Sequence, residues 1–229
     1  MTGPSILDQR QLGTLAAAGI AFWPVVVIGL HIYRAASYDP LRLAISELAL
    51  GPGGFLLNIA FVVLGLGCLA LAQGLRNAVR GAVTGPVLLR IAALLAIVSA
   101  VFHTNAHGTP ATLTSQIHDN AGLVSFVLIV AAMYTFAWRF MRDDSWRSFS
   151  RPTLIWAAVS SAAFFLVPGL GDNLFGLAQR IFIVTWMSWM LVAAMRLRTT
   201  AVRSPEWVAG HTVPPRASSV NSSLQTSGQ

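Results

Sequence analysis

Three short stretches of this 229-residue chain gather most of the side chains that could do chemistry. Residues 39–54 (DPLRLAISELALGPGG) carry Glu47, the only glutamate before the C-terminal tail; residues 103–120 (HTNAHGTPATLTSQIHDN) carry His103, His107, His118 and Asp119; residues 169–180 (GLGDNLFGLAQR) carry Asp172, Gln179 and Arg180. Carboxyl groups and imidazoles are the usual carriers of protons in general acid–base work, and an arginine beside them fixes charge. Each stretch is set between long apolar runs, so these groups work, if they work, in water-poor surroundings.

Those runs set the class. Of all residues 55% are hydrophobic and only 10% charged, and mean hydropathy is +0.66. A water-soluble domain spends about a quarter of its residues on charge, so this chain is a polytopic membrane protein. The net charge of +7 comes from fifteen Lys+Arg positions, all arginine. Because the arginines flank apolar spans they act as topology signals, and nucleic acid is not an expected partner. The one cysteine, Cys68, permits no intramolecular disulfide. No cleavable signal peptide is expected, since the first apolar run is long enough to stay in the membrane.

The expected fold is all-α, a six-transmembrane-helix bundle with spans at about 13–33, 54–75, 86–102, 120–138, 153–168 and 175–197. Each approaches the ~20 residues that cross ~30 Å of hydrocarbon. Residues 1–12 form a cytoplasmic N-terminus, 13–197 the membrane domain and 198–229 a disordered cytoplasmic tail that includes His211. Arginines 10, 76, 80, 139, 142, 147, 151, 196, 198, 203 and 216 fall on one side. The positive-inside rule makes that side cytoplasmic and puts the three stretches at the other face of a multi-pass cell-membrane protein. No internal repeat argues for an inverted-repeat transporter, and nothing in the sequence fixes an oligomeric state.

On that topology the polar residues share one depth. His31, Asn58, His103, His118 to Asn120, Asp172, Asn173, Gln179 and Arg180 all fall in the outer half, against Arg90 in the inner half. Arg180, about 8–9 Å into span six, must find carbonyls or a carboxylate, with Glu47, Asp119 and Asp172 as candidates. It is either a staple for helix packing or a substrate ligand. Asp39-Pro40 reads as a helix start and Gly51-Pro52 as a stop, giving a short interfacial helix over 40–50. On it Glu47 projects about 140° from Arg42, so it looks elsewhere, to water or into the bundle. Pointed inward, it would keep a proton to give.

No cofactor is expected. Zinc would need three or four ligands on a fixed geometry, and Gly108 and Pro110 interrupt the His103/His107/His118/Asp119 series. A b-type haem would need His31 to face His103 or His118. Satisfied structural histidines are the commoner outcome. The aromatics Trp23, Trp156, Phe164, Phe165, Phe175, Phe182, Trp186 and Trp189 serve lipid-facing packing, or, around a cavity, stabilise a cation through their ring faces.

The segments ISELALGPGGFLLN, HGTPATLTSQIHDNAGL and LFGLAQRIF resemble the prokaryotic integral-membrane family catalogued as domain of unknown function nine-nine-eight, over about residues 13–197. Glu47, His118, Asp119 and Arg180 match that family's polar motif, and the resemblance implies six helices without a settled activity. In size and placement of acids the chain is also similar to the small integral-membrane terpene cyclases.

The expected function is therefore that of a membrane enzyme in contact with the lipid bilayer, which binds a hydrophobic small-molecule substrate and starts cyclisation of an isoprenoid by protonation. Glu47 or Asp119 would be the acid, with Asp172 as third candidate, and His118 would tune it. Arg180, Gln179, Asn58, His103, Trp23 and Trp186 would surround the substrate. A small-molecule or proton-coupled permease, with Glu47, Asp119 and Arg180 as an ion relay, or a haem or redox membrane protein, is the alternative.

Overall fold

A computed structural model describes residues 7–202 of the chain. Those residues form six α-helices and one short 3-10 helix: α1 (Gln9–Tyr33), η1 (Ile45–Leu50), α2 (Phe55–Ala78), α3 (Thr84–Val101), α4 (Leu113–Phe140), α5 (Arg147–Gly169) and α6 (Phe175–Val202). Each α-helix is long and apolar enough to cross a membrane, so the chain is an all-helical, multi-pass membrane protein.

Several helices extend beyond their apolar windows because polar capping residues set their ends. Asp8 accepts from the Gln11 N–H at 2.6 Å and the Gln11 side chain returns to the Asp8 N–H, which starts α1 four residues before the expected span. Thr112 and Ser115 form the equivalent box on α4, which begins at Leu113, so His118 and Asp119 stand in its second turn rather than at its opening. In α3, Pro86 is the third residue, not the first. Helix α5 starts at Arg147 and runs through Pro152. At the other end of the chain α6 continues to Val202, into the stretch expected as tail; residues 203–229, with His211, lie outside the described residues.

The helices form a ring in chain order. Each packs on the next and α6 closes against α1, while α2 also touches α6. Small residues bring α1 and α2 together: a Cβ on Gly19 would stand 2.9 Å from the Gly67 Cα and from the Val63 carbonyl. The buried core runs along the inner faces, with Leu57, Leu71, Phe136, Phe182 and Trp189 nearly sealed from solvent. Inside the bundle Arg90 donates to Gln73 Oε1 at 2.7 Å, joining α3 to α2. Trp189 donates to Thr153 Oγ1 and Trp156 to Ser188 Oγ, so both take packing roles.

The expected helix over 40–50 is only half there. Asp39 Oδ1 accepts from the Leu41 N–H in a local turn instead of capping a helix, and the chain becomes helical at Ile45, as a 3-10 turn. Helix η1 lies across the end of the ring where α1 finishes and α2 and α6 begin, in contact with all three.

Candidate functional site

Two sets of polar residues meet at the η1 end of the bundle, and they do different things. The first holds η1 in place. Arg180, half-buried in the second turn of α6, donates to the carbonyls of Gly176 (2.7 Å) and Leu43 (3.0 Å), to the Tyr38 hydroxyl (2.6 Å) and to His31 Nε2 (2.9 Å). Tyr38 donates in turn to the Ala44 carbonyl at 2.7 Å, with the Leu43 carbonyl at 3.1 Å. His31 Nδ1 donates to the Val27 carbonyl, which fixes Nε2 as the acceptor for the guanidinium. None of the three expected carboxylates reaches Arg180. The preceding turns of loop bring carbonyls and a phenol to it first, and these satisfy the charge.

Arg34 works on the far side of η1, donating to the carbonyls of Glu47 and Leu48. Gln179 Oε1 accepts from the Ile45 N–H at 2.9 Å, and the Leu177 N–H donates to the Leu41 carbonyl at 3.0 Å. Gln179 thus caps the short helix. Nothing in the sequence marks Tyr38 and Arg34, because each lies outside the polar stretches and beside ordinary loop residues.

The second set borders a cavity of about 590 Å³ enclosed by all six helices, η1 and the 102–112 loop. That volume is in the range of small-molecule sites. Its wall is mostly aromatic and aliphatic. Trp23, Phe164, Phe165, Phe175, Phe182 and Trp186 all line it, as the sequence reading allowed; Phe61 and Phe126 also do, unanticipated because nothing in an apolar run marks an inward ring. The rings interlock: Phe126 lies 5.1 Å from Phe182 and 6.1 Å from Trp186, and Phe61 stands between Trp23 (6.0 Å) and His118 (6.2 Å). Several lining residues are exposed, among them Phe165 on α5 (74%), Leu123 on α4 (51%) and His107 in the loop, so the cavity is open to the surface.

Polar groups cluster at the η1 end of this cavity. Glu47 is 9% exposed, and both of its oxygens are occupied: Oε1 accepts from the Ala44 N–H (3.0 Å) and Oε2 from the His107 N–H (2.8 Å). It therefore latches the 102–112 loop to η1 while lining the cavity. His118 is 8% exposed, and its Nδ1 donates to the carbonyls of Phe102 (2.8 Å) and Ser99 (3.0 Å). Two carbonyl acceptors make Nδ1 the donor, and Nε2 bonds to no described residue. Asp119 is exposed at the rim and takes a single long hydrogen bond, 3.5 Å, from Thr104. On this wall the His107 ring, His118 Nε2 and Ser99 Oγ have no hydrogen-bond partner among the described residues, and Asp119 has one long one.

Other expected site residues lie elsewhere. Asp172 is exposed on the α5–α6 turn and does not line the cavity. Asn58 and His103 pair with each other at 3.2 Å, outside it. The histidines proposed for haem are engaged separately: His31 on Arg180, His103 on Asn58 and His118 on two carbonyls. Among the described residues no three His, Cys, Asp or Glu side chains gather as metal ligands. Arg180 touches neither Glu47 nor Asp119, so no relay joins the three.

The chain belongs to the family described as Protein of unknown function (DUF998), whose model matches residues 16–196. No curated protein and no solved structure matches it.

Proposed function

We propose that this member of the family is a membrane enzyme that takes a lipid-soluble isoprenoid into the cavity and starts its cyclisation by protonation. The observation that carries the reading is a largely apolar, ring-walled cavity with lightly bonded acid–base groups at one end, where His118 Nε2 and Asp119 stand in consecutive positions near the His107 ring. Between the two carboxylates, the hydrogen bonding favours Asp119 as the acid. Glu47 is committed through both oxygens to backbone N–H groups, whereas Asp119 is nearly free.

In this mechanism the Asp119 carboxyl gives its proton to an alkene carbon of the chain, and the cation closes onto a second alkene. Loss of a proton to His118 Nε2 ends the reaction, and return of that proton to Asp119 through water resets the site. The product is an isomer of the substrate. Phe61, Phe126, Phe182 and the two tryptophans face the travelling positive charge with ring quadrupoles, and the chain itself fills the space that water would need. Arg180 takes no part in the chemistry; it keeps η1 over the cavity. By the arginine asymmetry the site opens toward the non-cytoplasmic face. The permease reading has less support, since its relay needed Arg180 beside a carboxylate.

The test is turnover by purified protein in nanodiscs, with prenylated acceptors of several chain lengths and liquid chromatography coupled to mass spectrometry. Wild type should yield a product of unchanged mass and shifted retention, and Asp119→Asn should lower its rate by about 100-fold or more. Equal turnover by wild type and Asp119→Asn would remove Asp119 from the mechanism.

A further inference from the structure

Arg139, one of the arginines that mark topology, stands at the end of the bundle opposite η1, one residue before the close of α4. With the turn 81–85 that leads into α3, it borders a second pocket, of about 330 Å³. The other half-buried arginines, Arg34, Arg90, Arg180 and Arg196, each donate to at least one oxygen. Arg139 is equally half-buried, yet none of its guanidinium nitrogens meets an acceptor among the described residues. Its Nε is sealed, whereas Nη1 and Nη2 are not, and Nη2 packs against Gly81 of the same pocket wall, in the space a Cβ there would need. Thr84, also on the wall, has a hydroxyl with no partner among the described residues. No described Asp or Glu lines the pocket. A cation and a hydroxyl, both unbonded, on a wall without carboxylates are the complement of an anion with several oxygens.

We propose that this pocket binds the phosphate of an anionic phospholipid, with the phosphate oxygens on the Arg139 guanidinium and the Thr84 hydroxyl. The source is a lipid because the pocket opens where lipid lies: Trp138 and Tyr134 of its wall are 52% and 40% exposed. Trp138 is the kind of ring that sits at headgroup level, and Tyr134, one turn deeper on α4, lies where an acyl chain begins. A zwitterionic headgroup fits less well. No wall carboxylate meets a choline, and the Trp138 ring that could hold one already carries the Arg142 guanidinium at 3.6 Å from its centroid. Arg142 adds a second positive charge beside the first. The site is independent of the ring-walled cavity and of any chemistry there.

The test is native mass spectrometry of the purified full chain in detergent micelles, equilibrated with equal amounts of phosphatidylglycerol and phosphatidylcholine of the same acyl chains. Phosphatidylglycerol should be retained about tenfold over phosphatidylcholine. Arg139→Gln should abolish that preference, and because the guanidinium bonds to no described residue the variant should fold as wild type. Thr84→Val should reduce the preference about threefold, which gives a second reading should Arg139→Gln fold poorly. Arg151→Gln removes an exposed arginine at the same end of the bundle, outside the pocket, and should leave the preference unchanged. Equal retention of the two lipids would overturn the proposal, as would a preference that survives Arg139→Gln. An equal loss with Arg151→Gln would overturn it too, by showing general surface charge in place of a site. Displacement of the lipid by millimolar inorganic phosphate would overturn the lipid assignment and leave a site for free phosphate.

Discussion

His118 illustrates how little freedom a residue has once its neighbours are fixed. Two carbonyls at the end of α3 claim Nδ1–H, and Nε2 is left without a partner among the described residues, on a residue that lines a largely nonpolar cavity. Replacing it by Asn should leave folding nearly intact and slow turnover in nanodiscs; a rate equal to wild type would make His118 purely structural. Tyr38 is the opposite case, a residue wholly spent on structure. Its hydroxyl joins Arg180 to two loop carbonyls, so Tyr38→Phe should cost about 1–3 kcal/mol in an SDS unfolding titration. Burial pushes the Tyr38 hydroxyl above its ordinary value of 10.0, and Arg180 pulls it part of the way back. With the folded value raised, the unfolded chain loses its proton first, so this contribution to stability is whole below pH 10.0 and fades as pH rises past it. Wild type should therefore lose stability above that pH more steeply than Tyr38→Phe, and parallel curves would refute the assignment. At this scale the sequence exposed Glu47, His118 and Asp119 because a polar residue near an apolar span is rare. It concealed Tyr38 and Phe61, since a loop tyrosine and a phenylalanine in an apolar run have nothing unusual in their type or spacing.

Helix η1 is the element on which the site depends, and it has little stability of its own. A six-residue 3-10 turn makes few internal hydrogen bonds, so it is held by groups from α1, α6 and the 102–112 loop. The loop leading into η1 lies close on α6 at Gly176, where a Cβ would stand 2.5 Å from the Leu43 carbonyl oxygen, 2.6 Å from the Pro40 carbonyl oxygen and 2.9 Å from an Arg180 nitrogen. Gly176→Ala should lift η1 from α6, at a cost of about 1–3 kcal/mol, and expose the loop before it to proteolysis. Cleavage at the wild-type rate would show that the contact relaxes without consequence. Hydropathy was enough to find all six spans, because a bilayer demands long apolar runs. It could not place their ends, since Asp8 and Thr112, which start α1 and α4, lie in polar sequence outside those runs. The short helix departs from the expected 40–50 for a related reason: Asp39 spends its side chain on the Leu41 N–H in a turn, and helical structure waits until Glu47 accepts from the Ala44 N–H and Gln179 from the Ile45 N–H.

At the scale of the whole molecule, the described residues form a ring of six helices around a cavity that η1 borders at one end. Such an arrangement separates two duties that the polar residues seemed to share. Arg180, Tyr38, His31 and Arg34 bind the cover to the ring; His118 lines the cavity and Asp119 stands exposed at its rim. No sequence pattern distinguishes them, because which carbonyls Arg180 meets depends on the loop before η1 folding back across α6, a contact between positions 137 residues apart. The most direct measurement compares lipid extracts, by mass spectrometry, from cells co-expressing a prenylation pathway with either wild type or Asp119→Asn. The account predicts an isomeric lipid of unchanged mass and altered retention that is present with wild type and absent with the variant. Identical extracts across several prenyl chain lengths would contradict it, and the cavity would then be a site for binding or passage instead of acid-initiated chemistry.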